Sequence, residues 1–340
     1  MTKRGYPRHF WVLALLGVCG GCVPTFDLDE SQITEPRVLA VQAVPAEVKP
    51  GGSVQLEALI AAPDGESHAA PTWFLCKARK RLTELGPIEQ SCLQGDDLSK
   101  LGKGETVSAK VSVDVCRIFG PIRPDPVDNL PAGRAVEPDS TGGFYQPVLV
   151  SFDAAVALAS LRLTCGLIGI ESEASVELAR SARVNGNPQI ASLQAGAGAD
   201  ERDADLLVRA GTSVPFTAGL PGCPKKPACG DGICSIEEDK VKCAEDCTTP
   251  VGCAGAEYYT YYNPTSRDVE VHHEELTVSW FASVGSWSSA KTEVFNARRG
   301  AQASENTWVA PAKAGKGTLW VVVRDNRGGV GWSRQTIVIR

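Results

Sequence analysis

The sequence has little of what catalysis or nucleic-acid binding requires. It holds only four histidines in 340 residues, and a single methionine, the initiator. The one local concentration of imidazole is His272-His273. Neighbouring residues on a strand point to opposite faces, so these two rings cannot easily meet one ion. The run His273-Glu274-Glu275-Leu276-Thr277 also lacks the second histidine that a zincin helix places at the fifth position. No G-x-S-x-G nucleophile elbow occurs. Gly95 to Gly104 (GDDLSKLGKG) has the wrong glycine spacing for a phosphate-binding loop, and Gly104 stands where Ser or Thr should follow Lys103. There is no block of basic residues, and the net charge is −6. A net acidic chain argues against nucleic acid and against electrostatic docking on anionic lipid. The expectation from these absences is a protein that is not an enzyme.

What is present begins with the N-terminus. Lys3, Arg4 and Arg8 precede a short apolar core, Phe10 to Val18 (FWVLALLGV), which ends in Cys19-Gly20-Gly21-Cys22. The apolar run is too short to span a bilayer and is followed by small residues, as in a secretory signal. A cysteine directly after a small residue at the cut site resembles the lipobox of bacterial lipoproteins. The resemblance implies removal of residues 1–21 and acylation of Cys22, which becomes the new N-terminus. Three positive charges leave with that segment, so the net charge of −6 becomes about −9. Membrane attachment then rests on the lipid anchor, since several acyl chains on one residue hold firmly. Val23 and Pro24 lack the aspartate of inner-membrane retention in such lipoproteins, so the expected location is the outer membrane or cell surface.

Cysteine parity supports the same cut. Of twelve cysteines, cutting before Cys22 removes Cys19 and acylates Cys22. Four remain in the first half (Cys76, Cys92, Cys116, Cys165) and six in the second (Cys223, Cys229, Cys234, Cys243, Cys247, Cys253). Even numbers in both halves suit a disulfide framework in an oxidising compartment, with the connectivity left open.

Residues 22–36 are acidic and aperiodic and read as a tether. From Arg37 onward, short runs rich in Val and Thr alternate with Gly/Pro turns, which is the pattern of strands. The order then recurs. The opening strand Val38–Val44 matches Asn187–Gln194, VKPGGSVQL around Gly51 matches VRAGTSVPF around Gly211, and Thr72-Trp73-Phe74 matches Ser279-Trp280-Phe281. At the ends, LRLTCGL (Leu161–Leu167) is paired with TLWVVVRD (Thr318–Asp325), and Leu178–Val184 with Trp332–Ile339. The expected fold is mostly β: two tandem β-sandwiches, 37–185 and 186–340, each with an inward Trp on a central strand. With Arg324-Asp325-Asn326-Arg327-Gly328-Gly329 as a closing hairpin, the sequence resembles tandem immunoglobulin-like domains of bacterial surface proteins. An acidic tether before two such units is similar to lipoproteins of myxobacteria-like secretomes. Each copy is expected to carry an insertion: 77–143, ending in the Pro-rich run Pro121–Pro138, and 222–267, which holds six cysteines.

The second insertion reads Cys229-Gly-Asp-Gly-Ile-Cys234, Glu237-Glu238-Asp239, Cys243-Ala-Glu-Asp246-Cys247, a C-x4-C-x8-C-x3-C spacing. It resembles a Cys-rich repeat of secreted bacterial proteins and, more distantly, Notch-type calcium-binding repeats. One reading is a disulfide knob without cofactor, its acids serving solubility. The other is a Ca²⁺ site on Asp231, Glu237 and Asp246. Zinc is disfavoured, because C-x2-C spacing is missing from the insert. After it comes the densest aromatic cluster, Tyr258-Tyr259-Thr260-Tyr261-Tyr262. Flat faces with polar tips suit contact with a glycan or a protein; the competing role is to cover the sandwich edge. Two functions compete: a lipid-anchored structural or adhesion-type binding scaffold, and an accessory or catalytic envelope protein acting on polysaccharide.

Overall fold

The computed structural model describes residues 30–63, 69–80, 85–121, 138–153, 155–167, 172–202, 205–223, 229–230, 241, 243–247, 253–263, 265–296 and 302–340. Cys22, Cys234, Asp231 and Glu237 lie outside them. The first domain runs β1 (Arg37–Val44), β2 (Glu47–Val48), β3 (Ser53–Ala61), β4 (Thr72–Cys76), α1 (Gln90–Gln94), β5 (Leu98–Lys103), β6 (Thr106–Lys110), α2 (Val115–Ile118), β7 (Phe144–Phe152), β8 (Ala155–Leu163) and α3 (Ser172–Ser181). The second runs β9 (Ser192–Ala195), β10 (Ala199–Arg202), β11 (Asp205–Val208), β12 (Ser213–Leu220), α4 (Ala244–Cys247), β13 (Tyr258–Tyr262), β14 (Val269–His273), β15 (Leu276–Ala282), β16 (Ser286–Trp287), β17 (Lys291–Glu293), β18 (Phe295–Asn296), β19 (Gln302–Val309), β20 (Gly315–Asp325) and β21 (Val330–Ile339).

Alternation along these strands builds two sandwiches. In β3, Val54, Leu56 and Ala58 turn inward between polar neighbours; in β12, Val214, Phe216 and Ala218 do the same. The first domain packs the sheet β1-β3-β6 on β2-β8-β7-β4-β5. The second packs β16-β19-β12-β9 on β10-β11-β21-β20-β15-β17, and β13-β14 stands apart as a two-stranded ribbon. The duplication extends to strand pairing. The opening strands β1 and β9 pair antiparallel with β3 and β12, while β2 and β11 pair parallel with the last strands β8 and β21. Trp73 on β4 and Trp280 on β15 are fully buried at the two centres, their indole N–H groups donating to the Gly104 carbonyl and the Thr292 hydroxyl. The chain is mostly β, with two immunoglobulin-like sandwiches in tandem and a disulfide-bonded insert in the second.

Three sequence readings are corrected. The terminal hairpins that correspond are β7–β8 and β20–β21, so the counterpart of 318–325 is β7 rather than Leu161–Leu167. Leu178 lies in α3, not in a strand: SEASVELARS is rich in Glu, Ala, Leu and Arg, which lose little freedom in a helix. The stretch 77–143 is not wholly an insertion. It supplies β5 and β6, and Val107, Ala109, Val115 and Phe119 enter the first core.

The end of the acidic tether is also docked rather than free. Ile33 is 1% exposed, and residues 31–33 pair with Ala282 at the end of β15 through Ile33 N–H to the Ala282 carbonyl and Ala282 N–H to the Ser31 carbonyl. Ile33 belongs to a third core that neither domain makes alone. There, Leu39, Ala40 and Ala61 of the first domain meet Trp320, Val322 and Val330 of the second, with Leu59, Phe281 and Trp332 around them. The domains thus lie sheet against sheet, and β20 is buried on both faces.

Candidate functional site

The β20–β21 hairpin turns on Asp325, whose Oδ1 accepts the Arg327 N–H at 2.8 Å and the Gly329 N–H at 2.7 Å. Gly328 occupies the left-handed region, with φ of 100°, which a residue without Cβ adopts freely. This tight turn folds the Arg327 side chain inward, where it is 2% exposed. Its Nη1 donates to Glu257 Oε2 at 3.2 Å and to Glu274 Oε1 at 3.1 Å, and its Nη2 donates to the Arg183 carbonyl at 2.8 Å. Tyr259 stacks on the guanidinium, 4.8 Å from ring centroid to carbon.

The cluster continues into the first domain. Glu47 lies 3.7 Å from Arg327 Nη2 and accepts from Arg162 Nε at 3.1 Å and from the Asn185 N–H at 3.0 Å. Arg162 Nη1 donates in turn to Tyr145 at 2.7 Å and to Thr141 at 3.0 Å. The linker is stitched to both sides: Asn187 donates to the Ala43 carbonyl and accepts from the Val330 N–H. It also lies close against β21, where a Cβ on Gly331 would stand 1.8 Å from the Pro188 carbonyl.

Environment separates the acids. Burial alone would raise Glu47, but Arg162 and Arg327 hold its carboxyl below the usual range. Burial pushes Glu257 up to about 7 against the pull of Arg327. Glu274 is driven well above a normal carboxyl by burial and by the neighbouring Asp325. Burial raises the Tyr145 phenol to about 12. Two carboxylates do converge here, but they are sealed and share one guanidinium. A cleft of about 390 Å³ beside them is lined by His273, Glu274, Glu275, Leu276, Glu293 and Gln302. At Glu274, Oε1 is taken by Arg327 and Oε2 by the Glu257 N–H.

The tyrosine cluster forms β13, paired antiparallel with β14. Tyr259 is 4% exposed and serves Arg327, so it is not a surface contact; Tyr258, Tyr261 and Tyr262 are half-buried. Tyr258 packs against His273 in a tilted arrangement with ring centroids 4.4 Å apart, and Tyr261 lies 5.1 Å from His272, which is paired with Glu270. His272 and His273 fall on opposite faces, as strand geometry requires.

Four disulfides are described: Cys76–Cys92, Cys116–Cys165, Cys223–Cys253 and Cys229–Cys243. Cys247 ends α4. Cys229, Cys243 and Asp246 gather their ligand atoms within 4.8 Å, yet the two sulfurs are bonded to each other and offer no thiolate to a metal. Asp246 is 5% exposed, and its Oδ2 accepts the Gly230 N–H at 2.6 Å. That contact makes it a clasp across the Cys229–Cys243 bridge. Of the three residues expected to hold Ca²⁺, it alone falls among the described residues.

The charge cluster is what sequence reading missed. Its members are 115 residues apart in the case of Glu47 and Arg162, and the only local signal was an Arg followed by Gly-Gly in a hairpin turn.

No protein-family model and no curated protein matches the chain. Among solved structures it is similar to E. coli alpha-2-macroglobulin (8% identity, TM-score 0.23), covering 88% of this chain and 16% of that one. It is also similar to a chimeric titin Z1Z2–Z1Z2 tandem functionalized with a GRGDS peptide from fibronectin (10% identity, TM-score 0.20; 89% and 97% covered). A chimeric titin Z1Z2 carrying a KLER peptide from decorin gives 9% identity and a TM-score of 0.16, with 89% and 95% covered. The chain therefore spans about one sixth of the length of the macroglobulin.

Proposed function

We propose that the chain is an exported lipoprotein, held through Cys22 at the outer membrane or cell surface, that displays its two joined domains as a structural or binding scaffold rather than a catalyst. The supporting observation is the shared third core. A stalk of independent modules keeps each sandwich closed on itself, whereas here Trp320, Val322, Leu39 and Ile33 are covered only because the domains are together. Such a unit holds the half-buried Tyr258, Tyr261 and Tyr262 and the cysteine-rich insert at a set distance from the anchor, ready for a protein or glycan partner. Among the described residues no helix is long and apolar enough to cross a membrane, and in this reading the acyl anchor makes the attachment.

Two measurements test it. Intact mass of the detergent-extracted protein is expected to start at Cys22 with added acyl chains and to gain about ten hydrogens on reduction, as paired cysteines require. A lipid-free mass overturns the anchor. Urea unfolding followed by tryptophan fluorescence and by circular dichroism is expected to give one coincident transition for both domains. Two separate transitions would remove the rigid-scaffold reading.

A further inference from the structure

The domain junction encloses more acid than base. Glu47, Glu257, Glu274 and Asp325 face the guanidiniums of Arg162 and Arg327, and no side chain in the set is more than 10% exposed. Fully ionised, four carboxylates against two guanidiniums leave negative charge buried without a counter-ion, which is among the most costly arrangements in a protein interior. A bound proton relieves that excess.

The geometry selects where that proton sits. Glu47 is held ionised between Arg162 and Arg327, with further donors from the Thr164 hydroxyl and the Asn185 N–H. Burial raises Asp325, but two backbone N–H groups on Oδ1, the Asn185 amide on Oδ2 and the nearby Arg327 oppose that rise. Glu257 and Glu274 also receive backbone N–H groups, from Cys253 and Glu257 respectively, but they divide a single cationic nitrogen, Arg327 Nη1. The backbones also lock the two residues together: the Glu257 N–H donates to Glu274 Oε2, and the Glu274 N–H donates to the Glu257 carbonyl. Two carboxyls at one cationic site do not both ionise readily when buried.

We propose that the Glu257–Glu274 pair holds one proton in the closed junction and releases it as pH rises through neutrality, making the junction a proton-gated latch. The parts joined at this pair are those that release would loosen. Glu257 Oε1 accepts the N–H of Cys253, the residue through which the Cys223–Cys253 bridge closes the insert. Glu257 opens the ribbon and Glu274 leads from the ribbon into β15, while Arg327 carries the connection to Glu47 and the Arg183 carbonyl in the first domain. Low pH therefore keeps insert, ribbon and first domain locked, and alkaline pH frees the root of the insert. Tyr145 and Tyr259 also face the cluster, and His272 and His273 lie on the ribbon above it.

The test uses the mature protein and its Glu274→Gln variant, which mimics the protonated acid. Unfolded glutamate binds fewer protons than this pair near neutrality, so wild-type stability falls as pH rises there. The wild-type melting temperature is expected to drop by several degrees between about pH 5.5 and about pH 8.5, and hydrogen exchange at residues 253–262 to rise with it. Glu274→Gln is expected to lose most of that slope, while the ribbon histidines remain in place. A slope unchanged in the variant assigns the effect to other groups and overturns the latch, as does a flat wild-type profile. An infrared titration of the wild type reads the proton directly should the variant not fold. One buried carboxylic-acid carbonyl band is expected to vanish across the same range; its absence throughout overturns the proposal.

Discussion

Replacing Trp320 by alanine is expected to destabilise the protein by about 3–5 kcal/mol, the usual cost of truncating a fully buried aromatic side chain. Trp320 is 1% exposed, and it lies in the core between the domains rather than in either sandwich. The loss should therefore have a signature that truncation of Trp73 or Trp280 would not share. Those two remove the centre of a single domain. Trp320→Ala removes what the first domain packs against, leaving a cavity lined by Leu39, Val322 and Val330. Urea unfolding of the variant is expected to split into two transitions, with the second sandwich persisting at denaturant concentrations that release the first. One intact cooperative transition, shifted by less than about 1 kcal/mol, would show that the domains do not depend on this contact.

The second large effect is expected at Arg327. Arg327→Met keeps much of the apolar stem but removes the donor that Glu257 and Glu274 share and the nearby positive charge beside Glu47. Removing one partner from a buried ionic group leaves uncompensated charge, and the cost runs to about 3–5 kcal/mol. The loss should be greatest at alkaline pH, where the carboxyls are driven to ionise without their counter-ion, and smaller in acid, where protonation neutralises them. Adding Glu274→Gln to Arg327→Met is expected to restore part of the stability, because it removes one of the stranded acids. A double-mutant cycle reads that coupling, expected at about 0.5–3 kcal/mol for groups in direct contact. Strict additivity would mean that the guanidinium and the carboxyl do not act as a unit.

Much of the fold was legible because strands write their two faces into the sequence. Val54, Leu56 and Ala58 alternate with polar neighbours, and the same order recurs at Val214, Phe216 and Ala218. The two tryptophans of the central strands, the even cysteine counts and the Gly-rich hairpin after Asp325 are all local features that a reader of residues can place. Helical propensity overrides the strand pattern in the mixed stretch around Leu178, which forms helix α3.

The sequence by itself determined two repeated β-sandwiches, their buried centres and a chain chemically prepared for disulfides. Tertiary structure alone decided how the halves meet. Leu319 to Val323 is apolar at every position, which says that both faces of β20 are covered, yet no spacing rule says that Leu39 and Ile33 supply one of the covers. The same holds for the site. Glu47, Arg162, Glu257, Glu274 and Arg327 each read as an ordinary solvated charge among strand and turn residues, because charge carries no periodic mark of burial. They become one cluster only when the two domains close over them; that removal from water pushes all three acids up, and the guanidiniums of Arg162 and Arg327 bring Glu47 alone back below the usual range.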